Sequence, residues 1–325
     1  MRFLYLFLFI VYVSSTSCQT TSPTDQDALA RQGPDSVRWV KYSLADIKTD
    51  TTLFSKPEEV GELADRRLSE SSGLAQSQTN PNYLWTHQDS GNSNELQLLD
   101  KQGHVVGRYT LAGITNRDWE DIAVGPGPLP GRSYVYVAEI GDNRLKHATK
   151  TIYRFLEPAI ISSKFPVTET VTAIDVIDLQ LPDGPRNAEA ILLDPLTLDL
   201  YIISKEQFAE LYKASYPQSL TSTTPLQRVL ITPFRSITAA SVSPDGTEML
   251  IRSYKQLFYF SRQVGESIEA AMRKPPRLIS LAQEPQGEAI GWASAGPGKK
   301  PYGYFTVSER TLFFIAEPMF VCYRR

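Results

Sequence analysis

The sequence predicts an all-β protein, a β-propeller of four-stranded blades. Three observations carry this prediction. A short pattern recurs five times along the 325 residues, at intervals of roughly 50 to 70 residues. Each copy opens a series of short runs rich in Tyr, Val, Ile and Phe, the composition of buried or half-buried strands. Helical periodicity is confined to two short stretches, near Ile268 to Met272 and Glu58 to Asp65.

The chain begins "MRFLYLFLFIVYVSSTSC": one arginine, an apolar run from Phe3 to Val13, small residues, then Cys18. Residues 1–17 read as a cleaved export signal, too short to span a bilayer comfortably. Cleavage before Cys18 would leave an N-terminal cysteine available for lipidation, as in bacterial lipoproteins, although the usual leucine three positions earlier is missing. The expected location is the cell envelope, with this lipid as the sole membrane contact. Residues 18–36 are rich in Ser, Thr, Asp and Gln and read as a flexible tether. Residues 37–325 then form a single domain. Cys322 is the only other cysteine, so no disulfide framework exists. A net charge of −3 gives no basic surplus for phosphate backbones, which argues against nucleic acid as a partner.

The five repeats start as "SESSGLAQS", "DWEDIAVGP", "RNAEAILLDP", "SITAASVSPDG" and "PQGEAIGWA". Each leads through a turn to a second run: "NYLWTHQDSG", "SYVYVAEIGDN", "LYIISKEQ", "EMLIRSY" and "YGYFTVSE". The turns carry Asn80-Pro81-Asn82, Pro126 to Gly131, Asp194-Pro195, Pro244-Asp245-Gly246 and Gly296 to Pro301. Third and fourth runs follow in the first four units, for example "ELQLLD" and "VVGRYTL". Radial repetition of four-stranded sheets is a propeller. Five blades are predicted. The segment Val37 to Leu63 is expected to supply an outer strand to the last blade beside "MFVCYRR", removing an exposed edge; a sixth blade is the alternative for that segment. Such a closed ring is read as a monomer.

Aligning the five first runs puts Ser72, Glu120, Glu189, Thr238 and Glu288 in one column. The innermost strand of each blade lines the axis, so these positions should converge at one end of the channel. Carboxylates so placed raise one another's pKa or demand a cation. Hard oxygen donors without His or Cys suit Ca²⁺ or Mg²⁺, with Glu120, Glu189 and Glu288 as the ligands. The alternative is structural: the acids bond backbone amides of the next blade and brace the ring.

The ends of the second runs fall on one rim. They offer His87 with Asp89, Glu139 with Asp142 and Asn143, Lys205 with Glu206, Arg252 with Tyr254, and Ser308 with Glu309. Asp89, Asp142, Asn143, Lys205, Arg252 and Glu309 are the candidate ligand-binding residues, with Lys205 and Arg252 as contacts to an anion. His87 and Glu139 are candidate general bases; turn chemistry and inter-blade ion pairs explain the same residues equally simply. No G-x-S-x-G elbow is present, and "GPGPLPG" lacks the lysine of a phosphate loop. Trp119 is expected between blades, and His104 and His147 at the surface.

The stretches "SGLAQSQTNPNYLWTHQDSGN", "DWEDIAVGPG", "EIGDN", "NAEAILLDP" and "ITAASVSPDGTEMLIRSY" resemble a family of exported bacterial β-propellers. That family is similar to propellers with the esterase-like activity of phytase, and the likeness spans about Leu68 to Glu309. The resemblance implies axial acids, here Glu120, Glu189 and Glu288, and calcium that offsets carboxylates and binds phosphate. Two functions follow as expectations. One is a tethered binding module for a small polar or phosphorylated ligand, or for an envelope protein. The other is a calcium-dependent phosphoesterase or esterase at the same rim.

Overall fold

The computed structural model describes residues 38–160, 165–310 and 317–325. The expected export signal, the tether and Cys18 lie outside the described residues. Among the described residues, no helix is long and apolar enough to cross a membrane.

Residues Val40–Arg325 form one unit, a five-bladed β-propeller. Blade 1 comprises Ser71–Gln76, Tyr83–Gln88, Glu95–Asp100 and Val105–Leu111 from axis to rim. Blade 2 comprises Trp119–Pro126, Ser133–Glu139, Thr149–Leu156 and Asp175–Gln180. Blade 3 comprises Ala188–Leu193, Leu200–Ser204, Glu210–Ala214 and Gln227–Ile231. Blade 4 comprises Ile237–Val242, Glu248–Ser253, Leu257–Ser261 and the short Arg277–Leu278. Blade 5 comprises Gly287–Ala293, Gly303–Ser308, Glu317–Tyr323 and, outermost, Glu58–Leu63 from the N-terminal side. Within each blade these neighbours are antiparallel, as hairpin-linked strands are.

Glu58–Leu63 therefore closes the ring as an outer strand, with Glu58 opposite Val321 and Leu63 opposite Glu317. This settles the count at five rather than six. It also corrects the helical periodicity read near Glu58 to Asp65: pairing with the C-terminal strand overrides a weak local preference. The other short helical stretch, Ile268–Met272, is a helix capped by Ser267, whose hydroxyl accepts from the Ala270 amide at 3.2 Å.

Three blades gain a fifth strand that no hairpin supplies. Val167–Val171, from the connection inside blade 2, lies parallel to the outer strand of blade 1. Thr224–Pro225, from blade 3, does the same for blade 2, and Lys48–Thr49 covers blade 4. At the edge of blade 3 the Val40 amide donates to the Ile231 carbonyl at 3.1 Å. Each borrowed segment satisfies backbone groups that an open edge would leave for another chain.

The apolar interior is divided into five wedges, one between each pair of neighbouring blades. Between blades 1 and 2, Trp85 meets Tyr109 and Phe155 edge-on, at ring-centroid separations of 4.8 and 6.4 Å. Its indole N–H donates to Glu157 at 2.8 Å, so the ring is buried without stranding its polar atom. Trp119 is fully buried in the same wedge, as its place in the repeat predicts.

Candidate functional site

The column of five aligned residues has a local cause. In every first strand the register slips by one at the same point. Ser71 and Gly73 pair consecutively and leave Ser72 over; the same slip leaves over Glu120, Glu189, Thr238 and Glu288. A β-bulge of this kind re-aims the extra side chain. Five bulges at equivalent sites turn five side chains to one end of the axis. Of the residues just past the second strands, Asp89, Lys205, Tyr254 and Glu309 lie close to this column, whereas Ile140 packs into the apolar wedge between blades 2 and 3.

The two hydroxyls brace the ring. Ser72 donates to the Glu120 carbonyl at 2.9 Å and Thr238 to the Gly287 carbonyl at 3.0 Å, each crossing to the next blade. The three glutamates behave differently. Glu189 accepts from Lys205 Nζ at 2.8 Å and from Asn187 at 2.9 Å. Lys205 also meets the Tyr254 hydroxyl at 2.8 Å. Glu288 is buried, and its Oε2 has no hydrogen-bond partner. Glu120 is buried and belongs to a tight group: carboxylate oxygens of Asp89, Asp118 and Glu120 all lie within 4.8 Å of one another.

Gly141, the glycine of "EIGDN", permits that crowding. A Cβ there would stand 2.1 Å from Glu120 Oε1 and 2.4 Å from the Asp118 carboxyl carbon. Any other residue would displace the pair.

The electrostatics follow from this gathering of like charge. Burial pushes Glu120 well above the usual carboxylate range; the charges of Glu189, Asp89 and Asp118 add to it, and Lys205 opposes. Asp89 rises to about 6, through burial and the nearby Asp118, Glu189 and Glu70. Glu288 rises to about 7 through burial, which Lys205 and a Tyr254 hydrogen bond resist and Glu189 and Asp89 reinforce. Glu309 rises to about 8 through burial and the charges of Glu288, Asp89 and Glu70. Arg117 and Lys150 oppose the rise at Asp118, as Lys205 does at Glu120 and Glu288, but the carboxylates outnumber these cations.

The acids of "DWEDIAVG" thus face two ways. Asp118 and Glu120 face the rim. Asp121 is fully buried and faces the ring itself: it accepts from the Ile122, Ile191 and Ala240 amides at 2.9, 2.9 and 3.2 Å. One side chain of blade 2 therefore ties blades 3 and 4.

The remaining candidates are placed as follows. His87 is enclosed, its ring edge-on to Trp119 at 5.9 Å and its Nδ1 3.1 Å from the Gln88 carbonyl oxygen. Burial lowers its pKa to about 4, so it is neutral at physiological pH. Glu139 accepts from Arg117 Nε at 3.0 Å and from the Arg117 and Asp118 amides at 3.1 and 2.6 Å. It orients the strand entrance that carries Asp118. Asp142 accepts from the Lys146 and His147 amides at 2.8 and 2.6 Å, and Asn143 from Asn187 at 3.2 Å. Arg252 is sealed inside, bonded to Glu284 and to the Ala289 carbonyl, so its guanidinium does not reach the rim. Glu309 accepts from Gln286. His104 and His147 are exposed.

Asp118, one of the acids of "DWEDIAVG", lies two residues before the bulge and so outside the aligned column, and Lys150 carries no signal in the repeat. Lys150 is fully buried and 3.7 Å from Asp142; burial lowers its pKa to about 8, against the pull of Asp142. Asp142 in turn lines an open depression of about 490 Å³ together with Arg117, Asp118, Arg144, Lys146 and His147. A basic patch thus adjoins the acidic group.

The donors present suit a hard divalent cation. Asp89, Asp118 and Glu120 supply only oxygen, at spacings one ion can bridge, and Glu288 adds an unpartnered buried oxygen to the same charge group. No protein-family model and no curated protein matches the chain.

Proposed function

We propose that this protein is an extracytoplasmic binding propeller, tethered through Cys18, whose acidic axial rim takes Ca²⁺ and with it a small polar ligand or an envelope protein. The observation that carries the reading is the convergence of Asp89, Asp118 and Glu120 within 4.8 Å, at a rim where carboxylates outnumber the cations Arg117, Lys150 and Lys205. Buried like charges are costly unless protonated or paired. A divalent cation removes that cost and leaves outer coordination positions for ligand oxygens. The exported, lipid-anchored setting rests on the signal-like N-terminus and on the resemblance to exported bacterial propellers.

A thermal melt with and without Ca²⁺ tests the reading. At about a hundred times its Kd, Ca²⁺ should add about 2.7 kcal/mol, a rise in Tm of the order of 5 °C for a domain of this size. Glu120→Gln should abolish the rise while leaving the metal-free protein at least as stable. An unchanged Tm in Ca²⁺ and in chelator would overturn the metal-binding reading.

A second reading, a calcium-dependent phosphoesterase or esterase, is favoured by the depression beside Asp118. Arg117, Arg144 and Lys146 surround it and would hold an anionic ester next to the bound cation. Turnover of phytate or p-nitrophenyl phosphate, lost in Glu120→Gln, would support it. No turnover together with a calcium-dependent melt would leave the binding module.

A further inference from the structure

The two ends of the propeller axis are chemically opposite. At the end away from the acids, the turns between first and second strands of all five blades surround a cavity of about 670 Å³. That is within the size range of small-molecule sites. Val124, Leu193 and Val242 line it toward the axis, and Pro126, Pro195 and Pro244 line the turns. It adjoins a chamber of about 30 Å³ within the ring, which shares Gln78, Val124 and Leu193 with it and is bounded by Trp292.

Two polar side chains that line this cavity carry a buried atom without a hydrogen-bond partner, Ser133 at its hydroxyl and Gln78 at its Oε1. Gln78 is 8 % exposed, its Oε1 is buried, and that oxygen has no hydrogen-bond partner. Its backbone amide is already committed, donating to Glu157 at 3.2 Å. A buried acceptor left unpaired is costly, and such groups are conspicuous because most are matched. Gln78 lines both the outer cavity and the inner chamber. The charged side chains at this end are Arg132, which is exposed, and Asp245, whose carboxylate is occupied by the Ser243 and Thr247 hydroxyls at 2.6 and 2.9 Å.

We propose that this cavity is a second binding site, for a neutral, largely apolar organic molecule that carries one hydrogen-bond donor, a ring hydroxyl or N–H, toward which the Gln78 carboxamide turns its unpartnered oxygen. The apolar walls provide the bulk of the affinity through buried area. The glutamine provides selectivity: it accepts a donor and gains nothing from a ligand that lacks one. The site is independent of the cation at the acidic rim.

The test uses two probes of nearly equal shape, 2-naphthol and 2-methoxynaphthalene, titrated calorimetrically into the full chain. The expected result is saturable binding of 2-naphthol, about tenfold tighter than the methyl ether. Gln78→Leu should bring the two within about twofold. Leu196→Asp, at a side chain 61 % exposed on the cavity wall, should weaken both. Chelator and Glu120→Gln should change neither, so failure here and failure at the rim are read separately. Absence of saturable binding overturns the proposal. Equal affinity for the two probes also overturns it, since Gln78 would then be satisfied by water in the inner chamber. Should Gln78→Leu fail to fold, the wild-type ratio and Leu196→Asp decide the question.

Discussion

Asp121 shows how much one side chain can hold in a ring. Its carboxylate receives amides from blades 2, 3 and 4, and burial pushes its pKa well up while those same amides pull it down. Asp121→Ala would leave three amides unpaired inside the ring, at about 1–3 kcal/mol for each buried group. Chemical denaturation should report a loss above about 3 kcal/mol, with Asp121→Asn less damaged because its carbonyl oxygen still accepts from some of the amides. A loss no larger than that of a surface substitution would refute this role. Lys205 makes the opposite kind of argument. It neutralises Glu189 and would repel a cation in the neighbouring group. Lys205→Met should therefore bind Ca²⁺ several-fold more tightly at pH 8 in calorimetry; weaker binding would place the ion elsewhere.

Among the elements, the bulged first strand and the borrowed outer strand do most to shape the molecule. The first was legible as an alignment column, because its flanking small and apolar residues repeat. Its cause was not, since a bulge is a matter of pairing register and leaves no composition of its own. The third and fourth strands of blades 1 to 3 were legible from β-branched and aromatic runs. Lys48–Thr49 and Thr224–Pro225 were not: two residues joined through backbone alone carry no apolar pattern. Glu58–Leu63 was placed correctly by the need to cover an edge, although its local periodicity suggested a helix. At this strand a Cβ on Gly61 would lie 2.0 Å from the Gln102 carbonyl oxygen of blade 1. Gly61→Val should force the closing strand outward and cost about 1–3 kcal/mol. Hydrogen exchange should then accelerate at Met319 and Val321, whose partners lie on that strand, and not in blade 3. Uniform acceleration throughout the ring would contradict a local seam.

For the whole molecule, the acidic rim sets a pH dependence. The unfolded chain releases carboxylate protons near pH 4. The folded protein retains them on Asp89, Glu288 and Glu309 until about 6, 7 and 8. Between those limits the native state binds more protons, so metal-free stability should fall as pH rises from about 4 to about 8. Calcium competes with those protons, and its stabilising effect should grow over the same interval. Melts at pH 5 and pH 8 with and without Ca²⁺ check both trends; a calcium effect larger at pH 5 would count against carboxylate ligation. The sequence exposed the three aligned glutamates, but not that Lys205 would occupy Glu189 while Asp89 and Asp118 joined Glu120. Side-chain partnership between separate loops leaves no spacing signal. The union of Glu58–Leu63 with Glu317–Tyr323 has a further consequence for biosynthesis. A nascent chain makes Glu58–Leu63 long before Glu317–Tyr323 and must wait for the later strand to obtain the other half of this seam. A ribosome-bound intermediate can assemble blades 1 to 4 but has no means of shutting the circle, and any stop codon ahead of Glu317 leaves every such product permanently ajar.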